Sequence, residues 1–199
     1  KKLDLPKQVS IPIAQHIGAP STPVVKKKDK VKVGDVIAKS QGFVSSNIHS
    51  SVSGTVVKVG EVIDTTGFRK PAVVINVEDD EWNDSIDTSP DLLRNFSYSS
   101  REIIDKILEG GIVGMGGATF PSHVKLTVPE GKKIDTLVIN GVECEPYLTS
   151  DHRVMLERGE EMLTGIKLLK KALGVDQVLI GIEKNKPDAI EHITQLVSD

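Results

Sequence analysis

Glycine and a few polar residues dominate the stretch from Gly110 to Lys125. Five of its sixteen residues are glycine, and Phe120 and Lys125 lie near its end. Because glycine has no Cβ, successive backbone N–H groups can face one anion, and a ligand can approach the backbone closely. The stretch therefore has the composition of a phosphate-binding loop, with Lys125 for charge and Phe120 for stacking. A glycine-rich surface turn explains it equally well, because the spacing matches neither the dinucleotide pattern after a strand nor a P-loop.

A second stretch, Thr136–Pro146, changes from apolar to polar partway along. Its first residues form a short β-branched run of the kind expected for a buried parallel strand. The run then breaks into Asn140 and the two carboxylates Glu143 and Glu145. Polar groups at the carboxyl ends of parallel strands lie where open α/β sheets bind ligands. The residues alone thus predict an anion-binding loop beside two carboxylates and an aromatic ring.

Other reactive residues have simpler explanations. Cys144 lies between two carboxylates, which disfavour a thiolate, so packing explains it better than nucleophilic catalysis. Asp151 and His152 are adjacent on a predicted helix and point apart, so we expect a helix cap and not a catalytic pair. His16 and His49 have no further ligand at metal-binding spacing, so we expect structural roles for both and predict no metal site.

The composition excludes several classes of protein. The 199 residues, 38% hydrophobic and 27% charged, predict one or two ordinary globular domains. A net charge of −3 and an aromatic content of 4% give no reason to expect a nucleic-acid partner. No apolar run approaches the roughly twenty residues that span a bilayer, and no signal-peptide pattern begins the chain, so we expect a cytosolic or peripheral protein. The single cysteine cannot supply the four thiolates of an iron–sulfur cluster.

The residues before the glycine-rich stretch predict a small β domain. Residues 1–20 contain three prolines and little periodicity, so we expect an extended arm. From residue 21 to 80, short valine and isoleucine runs alternate with glycines, which predicts a barrel or sandwich. Lys30–Ala38 and Ser50–Thr55 resemble the two halves of biotinyl- and lipoyl-type barrel-sandwich hybrids. Because a modifiable Lys between Met residues is missing, we predict a docking or structural module and not a carrier.

A linker and a helix then lead into the glycine-rich stretch. Residues 81–98 are acidic and poor in apolar residues, which predicts the linker. Ser99 and Glu102 form a capping box that begins the helix.

Strands and helices alternate after the second stretch. A helix is predicted over Asp151–Leu173 with a break near Gly159, then a strand over Gln177–Ile182, then a helix beginning at Pro187. This alternation predicts an α/β, Rossmann-like domain with a parallel sheet over residues 99–199, incomplete at its carboxyl end.

Taken together, the two polar stretches resemble a known family. Residues 114–125 read Gly-Met-Gly-Gly-Ala-Thr-Phe-Pro-Ser-His-Val-Lys, and residues 139–153 read Ile-Asn-Gly-Val-Glu-Cys-Glu-Pro-Tyr-Leu-Thr-Ser-Asp-His-Arg. Both resemble the C subunit of the Rnf electron-transport complex, a relative of the flavoprotein subunit of respiratory complex I. Gln15–Pro20 and His49–Gly54 resemble the N-terminal region of that subunit, so the resemblance covers roughly residues 11–160.

The resemblance implies that the ligands are FMN and NAD(H), with NADH stacked over the flavin. By the same resemblance, Lys125 pairs with phosphate or polarises the flavin, Phe120 stacks against the dinucleotide, and Asn140 hydrogen-bonds the flavin or its ribityl chain. Glu143 and Glu145 face the nicotinamide end, and the glycines let both ligands lie on bare backbone. The cofactor-binding residues so implied are Gly114, Gly116, Gly117, Phe120, Lys125, Asn140, Glu143 and Glu145. Hydride transfer belongs to the cofactors, so no catalytic side chain is expected.

The function implied is that of a peripheral subunit of a membrane-bound, ion-translocating ferredoxin:NAD+ oxidoreductase complex, on the cytoplasmic face of the bacterial inner membrane. It passes electrons between NAD(H) and [4Fe–4S] clusters through FMN, with the other Rnf subunits and, indirectly, ferredoxin as partners. Two alternatives stay open: a cobalamin reductase of microcompartments, which shares the Gly-Gly-Ala-x-Phe-Pro and Glu-Cys-Glu-Pro motifs, and a non-catalytic docking module. Thr119 and Tyr147–Thr149 favour the Rnf-type subunit.

The chain also differs from the family pattern. Where the complex I relative has Asn-Ala-Asp-Glu-Ser-Glu-Pro, Val142 replaces one polar flavin contact. A later Gly-Gly-Glu-Lys motif, a β-grasp domain and a module for two [4Fe–4S] clusters are not among the 199 residues. We therefore expect a trimmed piece of a longer protein, carrying half of a flavin site.

Overall fold

The computed structural model of the protein describes residues 4–115 and 117–198, and in these ranges the chain forms nine strands and five helices. The first strands are β1 (Gln8–Pro12), β2 (Thr22–Pro23), β3 (Lys30–Val31), β4 (Val36–Lys39), β5 (Ile48–His49), β6 (Ser53–Ile63) and β7 (Arg69–Asp79). They are followed by α1 (Ser100–Glu109), α2 (Ser122–Leu126), β8 (Thr136–Gly141), α3 (Ser150–Glu157), α4 (Gly159–Leu173), β9 (Gln177–Ile182) and α5 (Pro187–Ser198).

These elements group into two compact units. The first contains the residues up to Pro90 together with Asp105–Lys125, and the second contains Asp91–Ile104 and the residues from Leu126 onward. The glycine-rich stretch therefore belongs to the same unit as β1 to β7, whereas the sequence prediction assigned it to the second domain. The predicted domain bounds at residues 20, 80 and 98 stay a prediction.

The first unit consists of two antiparallel sheets. One has the strand order β1-β7-β6-β3 and the other the order β2-β4-β5. Alternate residues of a strand point to the same face, so each sheet presents one apolar face. The buried core contains residues of both sheets: Ile11, Ile13, Val31, Ile37, Ala38, Ile48, Val52, Val56, Val73 and Ile75. The predicted small all-β domain is thereby confirmed.

β1 lies within the stretch that was predicted as an extended arm. It pairs with β7, from Gln8 opposite Asn76 to Pro12 opposite Ala72. The arm prediction is therefore corrected over these residues. A strand partner 68 residues away leaves no local periodicity in the sequence, which is why the pattern did not reveal it.

The second unit combines a parallel strand pair with helices. β8 and β9 are parallel in register, from Thr136 opposite Gln177 to Gly141 opposite Ile182. Helices α3 and α5 meet at a small core of Met155, Ala189 and Ile193. The predicted helices, the break at Gly159 and the parallel pairing are confirmed, and the unit has mixed α/β structure.

The predicted burial of β8 is wrong in part. Val138 and its partner Leu179 are 64% and 50% exposed. The other face of the strand is half-buried, at Leu137 and Ile139. In the part of the chain that the structure describes, this sheet contains only β8 and β9, and the exposure of Val138 and Leu179 shows that one of its faces is largely uncovered.

The helices follow their local sequence signals. At the start of α1, the Ser99 N–H donates to Glu102 Oε2 at 2.7 Å and the Glu102 N–H donates to Ser99 Oγ at 3.3 Å. This is the predicted capping box. Within residues 4–115 and 117–198, no helix combines the length and the apolar character that crossing a membrane requires.

Candidate functional site

The glycine-rich stretch forms a closed loop between α1 and α2. The Gly114 N–H donates to Phe120 O at 2.9 Å, and the Ser122 N–H donates to Ile112 O at 3.0 Å. These two bonds join the two sides of the loop, as backbone hydrogen bonds do in a β-hairpin. Gly116, one of the predicted contact residues, lies outside the described residues.

The tip of this loop offers backbone donors to a ligand. Gly117 has a φ of +122°, and a Cβ there would meet no described atom within 4 Å, so its backbone faces open space. In the described part of the chain, the N–H groups of Gly117, Ala118 and Thr119 have no backbone acceptor. Adjacent N–H groups in such a turn form a concave anion site. A phosphate contact at this loop stays a prediction.

Phe120 and Lys125 lie beside this backbone. The Lys125 ammonium is 5.9 Å from the centroid of the Phe120 ring, and a Cβ at Gly114 would lie 3.2 Å from the same ammonium. Lys125 is exposed, and it forms no ion pair with any residue that the structure describes. The structure thus brings Gly114, Phe120 and Lys125 together and leaves the cation open to a ligand anion.

Asn140 and Glu145 occupy the carboxyl end of β8 and the turn after it. Asn140 Oδ1 accepts the N–H of Val142 at 3.1 Å, which turns the chain as the strand ends. Glu145 is exposed, and its backbone carbonyl accepts the N–H of Leu148 at 3.3 Å. Both side chains reach solvent at the edge of the sheet where α/β proteins bind ligands.

Glu143 differs from its neighbours because it is buried and its carboxylate is bonded within the protein. Oε1 accepts the N–H of Asp151 at 2.8 Å and the hydroxyl of Ser150 at 3.4 Å, at the start of α3. Oε2 pairs with the buried ammonium of Lys186. The hydrogen bond from Lys186 lowers the pKa of Glu143, and burial opposes this effect. Glu143 is therefore ionised at neutral pH and neutralises a helix N-terminus together with a lysine.

Lys186 extends this contact to the chain that follows β9. Its ammonium lies 3.0 Å from Glu183 Oε2, and the same oxygen accepts the N–H of Glu143 at 3.3 Å. The bond to Glu143 raises the pKa of Lys186, which burial opposes. Lys186 is 43 residues from Glu143 and was not among the residues predicted from the sequence. The sequence could have indicated this residue, because Lys186 closely follows β9 and the carboxyl ends of β8 and β9 lie beside each other.

The remaining candidates have local structural contacts. His152 Nε2 lies 2.9 Å from Asp188 Oδ1, and this contact lowers the pKa of Asp188 and links α3 to α5. His16 Nε2 accepts the N–H of Ser46 at 3.1 Å in the first unit. Cys144 is exposed, so the packing role predicted for it is corrected.

Two family models match the chain. Residues 1–81 match a model described as the RnfC barrel sandwich hybrid domain. Residues 107–199 match a model described as the Nuo51 FMN-binding domain. The second match includes both the glycine-rich loop and the polar end of β8. The architecture is therefore a barrel-sandwich hybrid domain followed by an FMN-binding domain.

Curated relatives resemble the chain along nearly all of its length. The C subunit of the proton-translocating ferredoxin:NAD(+) oxidoreductase complex of Clostridium ljungdahlii is 50% identical over 190 residues, covering 94% of this chain and 40% of the relative. The C subunit of the Na(+)-translocating complex of Acetobacterium woodii is 45% identical over 195 residues, covering 98% and 43%. The C subunit of the ion-translocating oxidoreductase complex of Rhodobacter capsulatus is 44% identical over 196 residues, covering 97% and 37%. The chain spans about two fifths of the length of these relatives.

Proposed function

This chain belongs to the family of C subunits of ion-translocating ferredoxin:NAD(+) oxidoreductase complexes, and from that premise we propose that it transfers electrons between NAD(H) and iron–sulfur clusters through FMN. It acts as a peripheral subunit on the cytoplasmic face of the membrane, with the other subunits of its complex as partners and ferredoxin as an indirect one. Cys144 is the single cysteine of these 199 residues, so the [4Fe–4S] clusters are held elsewhere in the complex.

One observation carries this proposal. The match to an FMN-binding domain covers the loop in which the Gly117 backbone faces open space and the Lys125 ammonium, which pairs with no described residue, lies near Gly114 and Phe120. A flavin mononucleotide ends in a phosphate, which needs such donors and such a charge. The same match covers β8 and β9, and we propose that they belong to a Rossmann-like sheet.

The loop residues bind the phosphate and the rings. The backbone at Gly114 and Gly117 lies against the ligand, and the Gly117 N–H donates to the phosphate. Lys125 neutralises that phosphate or polarises the flavin, while the Phe120 ring stacks against the dinucleotide and excludes water from it.

The residues at the end of β8 orient the ligands. Asn140 hydrogen-bonds the flavin or its ribityl chain, and Glu145 accepts hydrogen bonds from the carboxamide or the ribose hydroxyls of NADH. Glu143 faces the nicotinamide end but acts mainly by holding the Glu145 turn in place, because its oxygens bond Lys186 and the start of α3. FMN, when bound, exchanges a hydride with NADH and electrons with the clusters.

A titration of FMN fluorescence tests the proposal. The protein is expressed from its complete gene, stripped of flavin and titrated against FMN, and NADH is then added without oxygen. We expect quenching that ends near one FMN per protein and bleaching of the bound flavin by NADH. Absence of both results would overturn the proposal and favour a docking module. Quenching without bleaching would support FMN binding but contradict the proposed exchange of electrons with NADH.

A further inference from the structure

The barrel unit contacts the start of the glycine-rich loop through β5 and the residue before it. Asn47 Nδ2 donates to the backbone carbonyl of Glu109 at 3.3 Å, and the Glu109 backbone also interacts with the His49 ring and raises its pKa. Glu109 is the last residue of α1, where the carbonyls have no partner within the helix. Two barrel side chains therefore cap this helix end immediately before the loop begins.

Gly111 lies against the same strand. Its φ is +66°, and a Cβ there would lie 2.5 Å from Asn47 O and 3.1 Å from two atoms of the His49 ring. Only glycine combines this backbone conformation with so close an approach. The first residues of the loop are thus fixed by direct contact with the barrel backbone.

The end of the loop at α2 is contacted by the chain segment between β4 and β5 of the barrel. His123, which is buried in α2, contacts Phe43 O through Nε2 at 3.1 Å. The two rings also pack edge to face, with centroids 6.3 Å apart. Phe43 lies in the chain between β4 and β5. Residues 43–49, which we call the barrel clamp, therefore contact both ends of the loop.

The clamp at the start of the loop includes polar side chains beside a cavity. A cavity of about 200 Å³ lies there, lined by Gln15, His16, Asn47, His49, Gly111 and Val113 among others. Burial lowers the pKa of His49, with the bond to Glu109 opposing it, so the ring is neutral at physiological pH. A neutral ring still has one N–H to donate, which is what a carbonyl requires.

We propose that the barrel clamp positions the glycine-rich loop for FMN, with Asn47 and His49 as positioning residues. This inference rests on the proposed function. A loop held in its binding conformation loses less entropy when the ligand arrives, so its affinity for the ligand is higher. The barrel domain, which lacks a carrier lysine, thereby has a role in flavin binding.

Two substitutions loosen the clamp selectively. Asn47→Asp keeps Oδ1, which accepts the Ser40 N–H at 3.0 Å, but replaces the donor to Glu109 with an acceptor. Gly111→Ala introduces a methyl group against Asn47 O. Its matched control is Gly131→Ala, since Gly131 has a similar φ of +74° but no described atom within 4 Å of the added Cβ. His49→Leu removes the ring donor, and His49→Gln retains one.

The readouts are amide hydrogen exchange without FMN and FMN affinity, both in the protein expressed from its complete gene. For Asn47→Asp, Gly111→Ala and His49→Leu, we expect faster exchange at Gly114 and Ser122, unchanged exchange in β6 and β7, and FMN binding about tenfold weaker. Gly131→Ala should match the wild type in both readouts, and His49→Gln should recover most of the affinity.

The outcomes separate this inference from the proposed function. If the wild type binds FMN and the clamp variants bind it equally well, the clamp has no positioning role and the proposed function stands. The same holds if exchange in the loop rises while the affinity is unchanged, or if Gly131→Ala weakens binding as much as Gly111→Ala. If the wild type binds no FMN, the proposed function fails, and the clamp fails with it as a flavin-positioning device.

Discussion

The side chain of Lys125 is exposed, and its ammonium lies near a glycine backbone and over an aromatic ring. Its ammonium approaches the place where a Cβ of Gly114 would be and lies over Phe120. A cation in that position can gain a phosphate partner without losing one among the residues that the structure describes. Its contribution to binding should therefore appear in the ligand affinity and not in the stability of the fold.

For Lys125→Gln we expect FMN to bind roughly tenfold to a hundredfold more weakly, because a charge-assisted hydrogen bond is lost. Fluorescence titrations at low and high salt measure the effect. The wild-type affinity should fall with salt more steeply than that of the variant, since added ions screen the charge. Lys133→Gln, an exposed lysine of the second unit, is the control and should bind as the wild type does. Equal salt dependence of Lys125→Gln and wild type would contradict the phosphate contact.

Glu145→Gln should reduce NADH turnover more than FMN retention. The Glu145 side chain is exposed at the edge of the sheet, so its substitution leaves the fold intact. An amide cannot replace both acceptor oxygens toward the dinucleotide, and hydride transfer depends steeply on ring geometry, so a loss of roughly tenfold to a hundredfold in rate is expected. NADH:ferricyanide activity is measured beside bound FMN per protein. Parallel loss of both, or no loss of activity, would remove Glu145 from the nucleotide site.

Glu143 acts mainly on the elements around it and less on a ligand. Its carboxylate joins the start of α3, the turn after β8 and the chain after β9 through Asp151 and Lys186. Removing one partner of a buried pair leaves the other charge poorly compensated. The two glutamates of one short motif therefore have separable roles.

We expect Glu143→Gln to lower the thermal midpoint of the second unit by several degrees, because Lys186 and the α3 N-terminus lose their anion. Differential scanning calorimetry of the wild type and the variant measures the shift. Glu157→Gln is the control, since Glu157 pairs with Arg153 on an exposed helix face and should matter little. A shift no larger than that of the control would show that the buried pair is dispensable.

The contact between Glu143 and Lys186 predicts that the stability of the fold depends on pH in the acid range. The folded-state pKa of Glu143 lies below its ordinary value of 4.5. Its contribution to the stability of the fold is therefore complete above pH 4.5 and is lost as the pH falls through the folded-state pKa. The stability of the wild type should therefore fall in acid more steeply than that of Glu143→Gln. A residual dependence should persist, because the pKa of Asp188 is also lowered by its contact with His152. Identical slopes would contradict the assignment.

Local signals determined which elements were predictable. The capping box of Ser99 and Glu102 begins α1 as expected, because its two partners are three residues apart. β1 was missed because its partner β7 is distant in sequence. The role of Glu143 was missed for the same reason, since nothing near the motif indicates Lys186. Motif spacing identified residues that the structure brings together, namely Gly114, Phe120 and Lys125, but not the strand β5 that contacts the loop.

At the scale of the whole chain, the number of cysteines limits which redox groups these 199 residues can ligate. A [4Fe–4S] cluster needs four thiolate ligands, and these 199 residues contain one cysteine, which is exposed. Flavin binding, in contrast, needs backbone donors and one cation, and we propose that the loop provides them. These 199 residues therefore cannot themselves ligate the cluster that would accept electrons from a flavin.

We expect the 199-residue chain, supplied with excess FMN, to reduce no ferredoxin with NADH and to show far less NADH:ferricyanide activity than the protein expressed from its complete gene, because it carries half of the predicted flavin site. Ferricyanide takes electrons directly from an exposed flavin, whereas the path to ferredoxin requires clusters that this chain cannot ligate. The same assays on the protein expressed from its complete gene, within its complex, provide the positive control for ferredoxin. Iron is measured after incubation with iron and sulfide, and we expect far less than four per chain. Ferredoxin reduction by the 199-residue chain, or stoichiometric iron bound to it, would mean that electrons leave the flavin by a route that uses no cysteine-ligated cluster.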